Sequence, residues 1–489
     1  MMGKQKKQDK LFYYSVNLES RVPANHPLRQ LKKILDLSFV RPAVEGCYGY
    51  NGNESVDPEV IVKMLLLLFL DDIASERELM RMLPYRLDYL WFLDFGLDDK
   101  IPDHSVLSKA RKRWGKGVFE RLFVEVVGQC YKAGLVDGRK LFVDGSLVDA
   151  NAGLCSVREC SSALLRALRG AYEREIAKLD DSDDEGEGFH ESGGGERDSG
   201  TEKRELVSLT DPDAAVVRHG RMMSRARYKH HRAVDGAYGV ITAVATTRGD
   251  VAENHQLFAL VDQSEANTGV KVETVVGDCQ YGTNENFREC GVRGIRAHLG
   301  DFREKELKKE RRIFGEERFI YDRERDVYVC PAGRDLKRRH YKRDRGAYYY
   351  YCVASLCNSC EMKKDCTRSE TGRTVIRYEG QEAIDRARAE SHSYLAKRDR
   401  RKRKHIVEGS FADAANNHGF KRSRWRGLWR QQIQDYLIAV CQNLRIMIAN
   451  GFGNGSCGVI QRIGSRFLGS ITRFWVKFSA YYALRFCPG

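Results

Sequence analysis

Residues 141–146 read LFVDGS and residues 275–282 read VVGDCQYG, and each is a short β-rich apolar run that leads directly into a single aspartate. These aspartates are Asp144 and Asp278. A third β-rich run, GVITAVATT, lies between them at residues 239–247. Strands separated by longer helical or loop stretches favour an α/β core. An aspartate at the carboxyl end of a buried strand lies at the rim of the sheet, where α/β sheets place their ligands.

The two aspartates and a later glutamate form the candidate catalytic set. Aspartates on adjacent strands can share a divalent cation, and a carboxylate from a helix completes a site for two Mg²⁺ ions about 3.5–4 Å apart. Such ions activate the attacking oxygen and stabilise the leaving one in phosphodiester chemistry. The helical candidate is Glu408, in HIVEGSFADAANNHGF. Aspartate after a strand is also typical of turns and helix caps. Asp149 is a nearby alternative ligand, and Asp235, expected to begin a strand, is assigned a turn or structural role.

Composition and charge restrict the class of protein. The chain has 489 residues, 42% hydrophobic and 31% charged, which excludes a carrier peptide, a disulfide miniprotein and a wholly disordered chain. Lys and Arg outnumber Asp and Glu by 83 to 68, which favours a polyanionic partner, although a merely soluble basic protein has the same sign. No apolar run reaches the ~20 residues of a membrane span, and no signal peptide is recognised. Fourteen cysteines in so long a chain do not make a secreted disulfide scaffold, so a reducing, cytoplasmic location is expected.

Helix-start signals dominate the amino-terminal part. Asp57 stands as a cap ahead of a proline and a glutamate, and residues 75–78 (SERE) form a capping-box pattern. Residues 101–114, IPDHSVLSKARKRW, begin a basic helix. Several short helices with a basic last member suit a DNA-binding head, with Arg111 and Arg113 as candidate contacts. They suit a helical subdomain of another function equally well.

In order and spacing, these motifs resemble those of the DDE transposases of bacterial insertion sequences, in the branch with an InsH-like amino-terminal domain. VDGSLVDANA (143–152) resembles the first catalytic strand of that family, and VVGDCQYGT (275–283) resembles its second aspartate motif. RKRKHIVEGSFADAANNHGFKRSRWRG (401–427), followed by IQDYLIAVCQNLRIM (433–447), is similar to its glutamate helix and closing helix. NHPLRQL (25–31) matches in the head. The resemblance extends over roughly residues 15 to 450.

The resemblance implies an α/β fold: an RNase H-like mixed sheet flanked by helices, an all-α N-terminal domain, and a Cys-rich insertion before the last catalytic helix. In that fold Asp144, Asp278 and Glu408 bind Mg²⁺, for which Mn²⁺ can substitute. The implied reaction is hydrolysis at transposon ends, followed by attack of the freed 3′-OH on target DNA. A homodimer or higher assembly on double-stranded DNA, in the bacterial cytoplasm with the nucleoid, is expected. Two other hypotheses stay open: a non-catalytic DNA-binding protein derived from a transposase, and an RNase H-like nuclease without strand transfer.

The region around Glu408 is basic and departs from the family pattern. Between residues 397 and 430 there are 12 Lys or Arg against 3 Asp or Glu, with Trp425 and Trp429 interleaved. Such a composition fits phosphate contact and base stacking, or a solvated face with tryptophans in the core. The family often has Tyr, Arg and Lys at positions held here by Arg401, Lys404 and Ala415. The candidate DNA contacts are Arg401, Arg403, Lys404, Lys421, Arg422, Arg424 and Arg426. His230 and His231 belong to a second stretch that could touch phosphate or be solvated.

Five cysteines lie within 37 residues, with the spacing C-x21-C-x4-C-x2-C-x5-C. They are Cys330, Cys352, Cys357, Cys360 and Cys366. The C-x2-C pair has zinc-knuckle spacing, and four thiolates would close one structural Zn²⁺ site, which leaves one cysteine spare. The alternative is a set of reduced cysteines without metal.

The expected divisions follow from these blocks. They are a helical DNA-binding domain at 1–138, the first part of the catalytic core at 139–300 with a disordered acidic linker at about 178–203, a Cys-rich basic insertion at 301–400, the last part of the core at 401–450, and a basic tail at 451–489.

Overall fold

The computed structural model describes residues 17–49, 55–161, 164–165, 167–171, 174, 204–218, 220, 223–301 and 313–452. The acidic linker expected at about 178–203 and the tail from residue 453 lie outside these ranges. By internal packing the chain divides into two units. One is formed by residues 1–126 together with 437–489, and the other by residues 127–436.

The first unit is helical in its described residues. Its helices are α1 Leu18–Arg21, α2 Pro27–Ile34, α3 Val40–Val44, α4 Pro58–Leu70, α5 Glu76–Met82, α6 Leu87–Leu93 and the first part of α7 Ser105–Lys132. The side chain of Asp57 accepts a hydrogen bond from the Glu59 N–H (2.9 Å), and Ser75 caps α5 in the same way. The two predicted helix starts are therefore confirmed. Helix α4 is apolar nearly all round and lies in the core, with the residues from 64 to 69 almost fully buried.

The second unit contains a mixed sheet. Its strands are β1 Lys140–Asp149, β2 Val157–Ser161, β3 Arg204–Ser208, β4 Ala215–Val217, β5 Arg225–Asp235, β6 Ile241–Arg248, β7 Thr274–Gly277 and β8 Arg296–Leu299. The order is β2-β3-β4-β5-β1-β7-β8, and β6 also pairs with β5. Strands β1, β7 and β8 are parallel to one another, whereas β5 is antiparallel to both β1 and β6. Helices α8 Leu257–Thr268 and α9 Asn284–Arg293 pack on the sheet through a common apolar core. The expectation of an α/β fold with a mixed sheet and helices is confirmed.

A second, smaller sheet follows β8 in the chain. It is antiparallel, with the order β13-β12-β11-β10-β9. The strands are β9 Ile320–Asp322, β10 Val327–Val329, β11 Asp335–Lys342, β12 Ala347–Tyr351 and β13 Thr374–Tyr378, with short helices α10 Ala354–Asn358 and α11 Lys363–Cys366 beside them. Tyr328, Leu336, Tyr350 and Val375 form the centre of its small core. Strong β-formers, chiefly tyrosines, make this sheet, which the sequence analysis did not anticipate.

The chain then returns to the main sheet through helices. These are α12 Gln381–Ser391, α13 Tyr394–Arg403, a π-helical turn Lys404–Glu408, α14 Gly409–Asn417 and α15 Leu428–Ala449. The last helix includes residues 433–447, the segment that resembles a closing helix. Among the described residues, no helix is both long enough and apolar enough to cross a membrane.

Two expectations about strands were wrong. Strand β1 does not end at Asp144 but continues to Asp149, because its second half pairs with β5. Asp235 is the last residue of β5 rather than the first of a strand. Its carboxylate accepts hydrogen bonds from the Gly138 and Ala237 N–H groups (2.8 Å each), which fits the turn role assigned to it.

Candidate active site

Asp144 and Asp278 lie at the same edge of the main sheet. Strands β1 and β7 are parallel neighbours, and Phe142 pairs with Val276. Each aspartate stands two residues beyond this pair on its own strand, so both follow the last rung of the parallel ladder. Asp278 begins the turn after β7, where its side chain accepts a hydrogen bond from the Gln280 N–H (2.8 Å). The parallel pairing therefore brings together two carboxylates that are 134 residues apart in the sequence.

Glu408 approaches this edge from the helices. It is the last residue of the π-helical turn, and its side chain is 55% exposed. Arg403, at the end of α13, forms an ion pair with Asp144, and its other terminal nitrogen lies 3.9 Å from Glu408 Oε1. One guanidinium therefore contacts both carboxylates. Arg403 was expected to contact DNA, but its side chain is 11% exposed and lies within the carboxylate group.

A fourth carboxylate, Glu253, belongs to the same group and was missed by the sequence analysis. Its side chain lies against Gly145, where an added Cβ would stand 2.9 Å from Glu253 Cδ. Lys229 Nζ is 3.8 Å from Glu253 Oε1. Glu253 stands in a short 3-10 turn before α8, where an acidic residue resembles an ordinary helix cap, so no local signal marks it.

The carboxylates affect one another's ionisation. Burial raises the pKa of Asp144, Arg403 opposes this, and the nearby negative charge of Asp278 adds to the rise. Burial likewise raises the pKa of Glu253, Lys229 opposes this, and the charges of Asp278 and Asp144 add to it. Asp144, Asp278 and Glu253 thus form one cluster of negative charge that a cation would stabilise. Their hard oxygen donors are those that Mg²⁺ prefers. As they stand, however, no three or more His, Cys, Asp or Glu side chains among the described residues could hold a metal ion.

Behind the site lies a buried polar network. Arg232 pairs with Asp144 across β1 and β5 and is fully buried. It donates hydrogen bonds to His230 Nε2 (2.9 Å) and to Ser410 Oγ (2.7 Å), while His230 Nδ1 lies 3.0 Å from Asp435 Oδ2. The network connects β5 to helices α14 and α15. It also shows that the phosphate-contact hypothesis for His230 and its neighbour His231 was wrong, because both rings are buried.

Asp149 is occupied by structural contacts. Its carboxylate accepts hydrogen bonds from Arg225 (3.0 Å) and Arg227 (2.7 Å). Its backbone forms hydrogen bonds to the Lys421 carbonyl (3.0 Å) and the Ser423 N–H (2.8 Å). The loop after α14 is thereby attached to the end of β1, and Asp149 does not join the carboxylate group.

The expected DNA contacts differ in exposure. Arg401, Lys404, Lys421, Arg422, Arg426 and Arg113 are exposed, whereas Arg424 is half-buried. Lys421 Nζ donates to Ser146 Oγ (2.8 Å), two residues from Asp144. Arg111 is 3% exposed and forms an ion pair with Glu76, so its guanidinium does not face solvent, and we leave it out of the DNA-contacting set. Trp425 and Trp429 are half-buried.

The five cysteines meet at the smaller sheet. All five line one cavity of about 30 Å³, and the Arg334 N–H lies 3.4 Å from Cys330 Sγ. Cys352 is buried in the core of that sheet. Burial raises the pKa of the Cys352 thiol to about 11, and the neighbouring Cys357 adds to the rise. The zinc hypothesis stays a prediction, since the cysteines have no metal-holding arrangement as they stand.

Two family models match the chain. One is described as a transposase domain (DUF772) and matches residues 16–113, and the other is described as a transposase DDE domain and matches residues 329–448. These matches support an insertion-sequence DDE transposase. The DDE match includes Glu408 and the five cysteines and begins after both strand aspartates.

Other comparisons add little. None of the curated proteins compared with the chain matches it. Among solved structures, a piggyBac transposase synaptic complex with hairpin DNA is similar at 8% identity and a TM-score of 0.34, over 94% of this chain and 85% of that one.

Proposed function

We propose that this chain is a DDE transposase that cleaves DNA at the ends of its element in a metal-dependent reaction and transfers the freed 3′-OH into target DNA. Asp144, Asp278 and Glu408 are the proposed metal ligands. The observation that supports this best is the convergence of the three side chains. Asp144 and Asp278 lie just beyond the last paired residues of the parallel strands β1 and β7, and Arg403 contacts both Asp144 and Glu408. The order β6-β5-β1-β7-β8 supports an RNase H-like core.

Mg²⁺, or Mn²⁺ in its place, would supply Lewis-acid activation of the attacking oxygen and stabilisation of the leaving one. The chain's own residues would bind the DNA and hold the carboxylates in position. Glu253 adds negative charge beside the two aspartates, and Arg403 holds Asp144 and Glu408 near each other. Lys421, beside Ser146, is placed to bind a phosphate of the DNA.

DNA reaches this site, in our proposal, over the exposed cations on and after α13. These are Arg401, Lys404, Lys421, Arg422 and Arg426. Arg113, in the amino-terminal helical domain, is proposed as a separate DNA contact. Duplex transposon ends and target DNA are the expected partners, held by a homodimer or larger assembly. The domain limits proposed are those expected from the sequence.

The test is a cleavage assay on a plasmid that carries the DNA flanking the gene. The protein is incubated with Mg²⁺, Mn²⁺ or EDTA, beside Asp144→Asn, Asp278→Asn and Glu408→Gln. Glu390→Gln, an exposed glutamate on α12, is the matched control for Glu408→Gln. We expect metal-dependent cuts at the element ends with the wild type and the control, and at least a hundredfold loss in each site variant, since each removes a proposed ligand.

Two readouts separate the alternatives. Mn²⁺ binding, followed by electron paramagnetic resonance, is expected to weaken in the site variants independently of cleavage. Specific DNA binding without metal-dependent cutting would refute the enzyme and favour a non-catalytic DNA-binding protein. Cutting without joining of the 3′-OH to a second plasmid would favour a nuclease without strand transfer.

We further propose that four of the five cysteines hold one structural Zn²⁺. Their meeting at one cavity supports this. Elemental analysis of the purified protein is expected to give about one zinc per chain, because a closed four-thiolate site binds one ion. Loss of the metal to a chelator is expected to unfold the smaller sheet, and a protein that purifies without zinc and keeps that sheet folded would refute the site.

A further inference from the structure

The smaller sheet carries a strongly basic hairpin outside the proposed DNA path. It consists of β11, a turn at residues 343–346, and β12, and residues 337–345 read KRRHYKRDR. Six of these nine residues are Lys or Arg and one is acidic, and all nine are exposed. We refer to residues 335–351 as the basic hairpin.

Most of its cations lack acidic partners. Arg338 lies 3.1 Å from Asp326 Oδ2. The described residues show no ion pair for the other five, which are Lys337, Arg339, Lys342, Arg343 and Arg345. Two other exposed cations of this unit do have acidic partners: Lys271 pairs with Glu265, and Arg296 pairs with Glu273. A group of unneutralised like charges repels itself and is therefore unfavourable unless an anion binds it.

Aromatic rings support these cations. Arg338 lies over the Tyr348 ring at 5.1 Å, and Lys342 lies over the Tyr349 ring at the same distance. His340 stacks on Tyr349 with centroids 4.7 Å apart and an interplanar angle of 11°. Cation–π contacts of this kind restrict the side chains while their charged ends stay in water. Less conformational entropy is then lost when an anion binds.

One edge of the hairpin is open. Strand β10 pairs with β11 only from residue 335 to residue 337. Beyond that point, among the described residues, β11 is hydrogen-bonded on the β12 side alone. The cations from Arg338 to the turn therefore lie along an edge of the sheet that no further strand of the described residues covers.

We propose that the basic hairpin is a second DNA-binding surface, which contacts the sugar–phosphate backbone of duplex DNA. The partner is a polyanion because the surface is cationic and unneutralised. We take this polyanion to be DNA because the proposal rests on the proposed function. In that function, duplex DNA binds to the same folded unit. These contacts read no sequence, so they add affinity and orientation rather than site choice.

The expected effect can be stated as a salt dependence. Each phosphate contact contributes about 0.9 to the slope of log K against log salt concentration. Loss of three contacts should reduce the slope by about 2.7. Between 50 and 200 mM salt, the wild type should then lose about 40-fold more affinity than a variant that lacks the three contacts.

The test variant is Arg339→Gln/Lys342→Gln/Arg343→Gln in the full chain. The control is Lys271→Gln/Arg296→Gln/Arg386→Gln, with the same charge change at exposed positions of the same unit. Binding to a fluorescent duplex is measured by anisotropy without chelator and without added Mg²⁺ or Mn²⁺, over a range of salt concentrations. We expect the reduced slope in the test variant and the wild-type slope in the control. Equal slopes in the two variants would overturn the proposal.

A second measurement uses the wild type, so it does not depend on how a variant folds. Lysine acetylation is mapped by mass spectrometry with and without duplex DNA. Lys337 and Lys342 should be protected by DNA and Lys271 should not, and unprotected hairpin lysines would refute the proposal. Because cleavage is expected to need added Mg²⁺ or Mn²⁺, binding is tested apart from catalysis. DNA binding without hairpin involvement removes this proposal alone, whereas absence of any DNA binding removes the proposed function too.

Discussion

Replacing Arg232 with methionine tests whether the buried network stabilises the active site. The guanidinium donates to His230 and Ser410 and lies 4.2 Å from the centre of the Phe411 ring. Two charged hydrogen bonds at about 1.5–3 kcal/mol each and a desolvated cation–π contact of about 2 kcal/mol give a gross loss of about 5–8 kcal/mol. Removal of the buried charge returns several kcal/mol of desolvation cost.

The balance depends on what remains buried. The carboxylate of Asp435 is fully buried. Burial lowers the pKa of Arg232, and the negative charges of Asp435, Asp413 and Asp144 oppose this fall. Without Arg232 these carboxylates lose a compensating positive charge. Breaking a buried pair in this way costs about 3–5 kcal/mol, so we expect Arg232→Met to lower the free energy of unfolding by about 3 kcal/mol.

Hydrogen exchange of α14 and urea unfolding measure this loss. A double-mutant cycle with Asp435→Asn isolates the coupling, which we expect at about 1–3 kcal/mol. Arg293→Met, which breaks partly exposed ion pairs with Glu289 and Asp262, is the control and should cost less than about 1 kcal/mol. Cleavage by Arg232→Met should fall at least tenfold where the protein is still folded, because Ser410 lies two residues after Glu408. A loss below about 1 kcal/mol with no coupling would refute the reasoning.

Three further predictions concern the same unit. Burial lowers the pKa of His231 to about 3 from 6.5, so below pH 6.5 the unfolded chain takes up a proton that the folded chain refuses. The free energy of unfolding should then fall by up to about 1.4 kcal/mol per pH unit as the pH drops. In urea titrations at pH 7 and pH 5, His231→Gln should show a smaller difference in the free energy of unfolding than the wild type. An unchanged difference would disprove this prediction. Glu253→Gln should weaken Mn²⁺ binding about tenfold, because a supporting carboxylate is lost, while the control Glu289→Gln should not. Equal Mn²⁺ affinities of the two variants in a paramagnetic-resonance titration would exclude Glu253 from the site. Gly282→Ala would place a Cβ 1.8 Å from the Gly300 carbonyl oxygen, so it should lower the free energy of unfolding by about 3 kcal/mol. Gly291→Ala, whose Cβ would meet only ordinary contacts, should be neutral or stabilising. Similar melting temperatures of the two variants in thermal unfolding would contradict this.

The strands that carry the aspartates could be predicted because short β-branched runs are strong local signals. Which strands pair with each other could not be predicted, because the paired strands are far apart in the sequence and no local pattern indicates their pairing. Residues 229–232 (KHHR) look like a solvated basic run, yet three of them are buried in β5 because the sheet is covered on that side. Arg111 looks like part of an exposed basic helix face, but its partner Glu76 is supplied from α5. Glu253 had no signal at all, since its role depends on the approach of a turn to Gly145.

The π-helical turn at residues 404–408 has a consequence for how the chain can change length. Such a turn holds one more residue than an α-helical turn, and each residue of a helix rotates the chain by about 100°. Deletion of one residue between Arg403 and Glu408 would allow an ordinary α-helical turn to form there, and Glu408 would then follow Arg403 by four residues instead of five. Because residues five apart in a π-helical turn and four apart in an α-helix lie on nearly the same face, Glu408 would stay beside Arg403 and α14 would keep its orientation. A single-residue deletion within positions 404–407 should therefore be tolerated by the fold, whereas a deletion within α14 should rotate the side chains after it by about 100°.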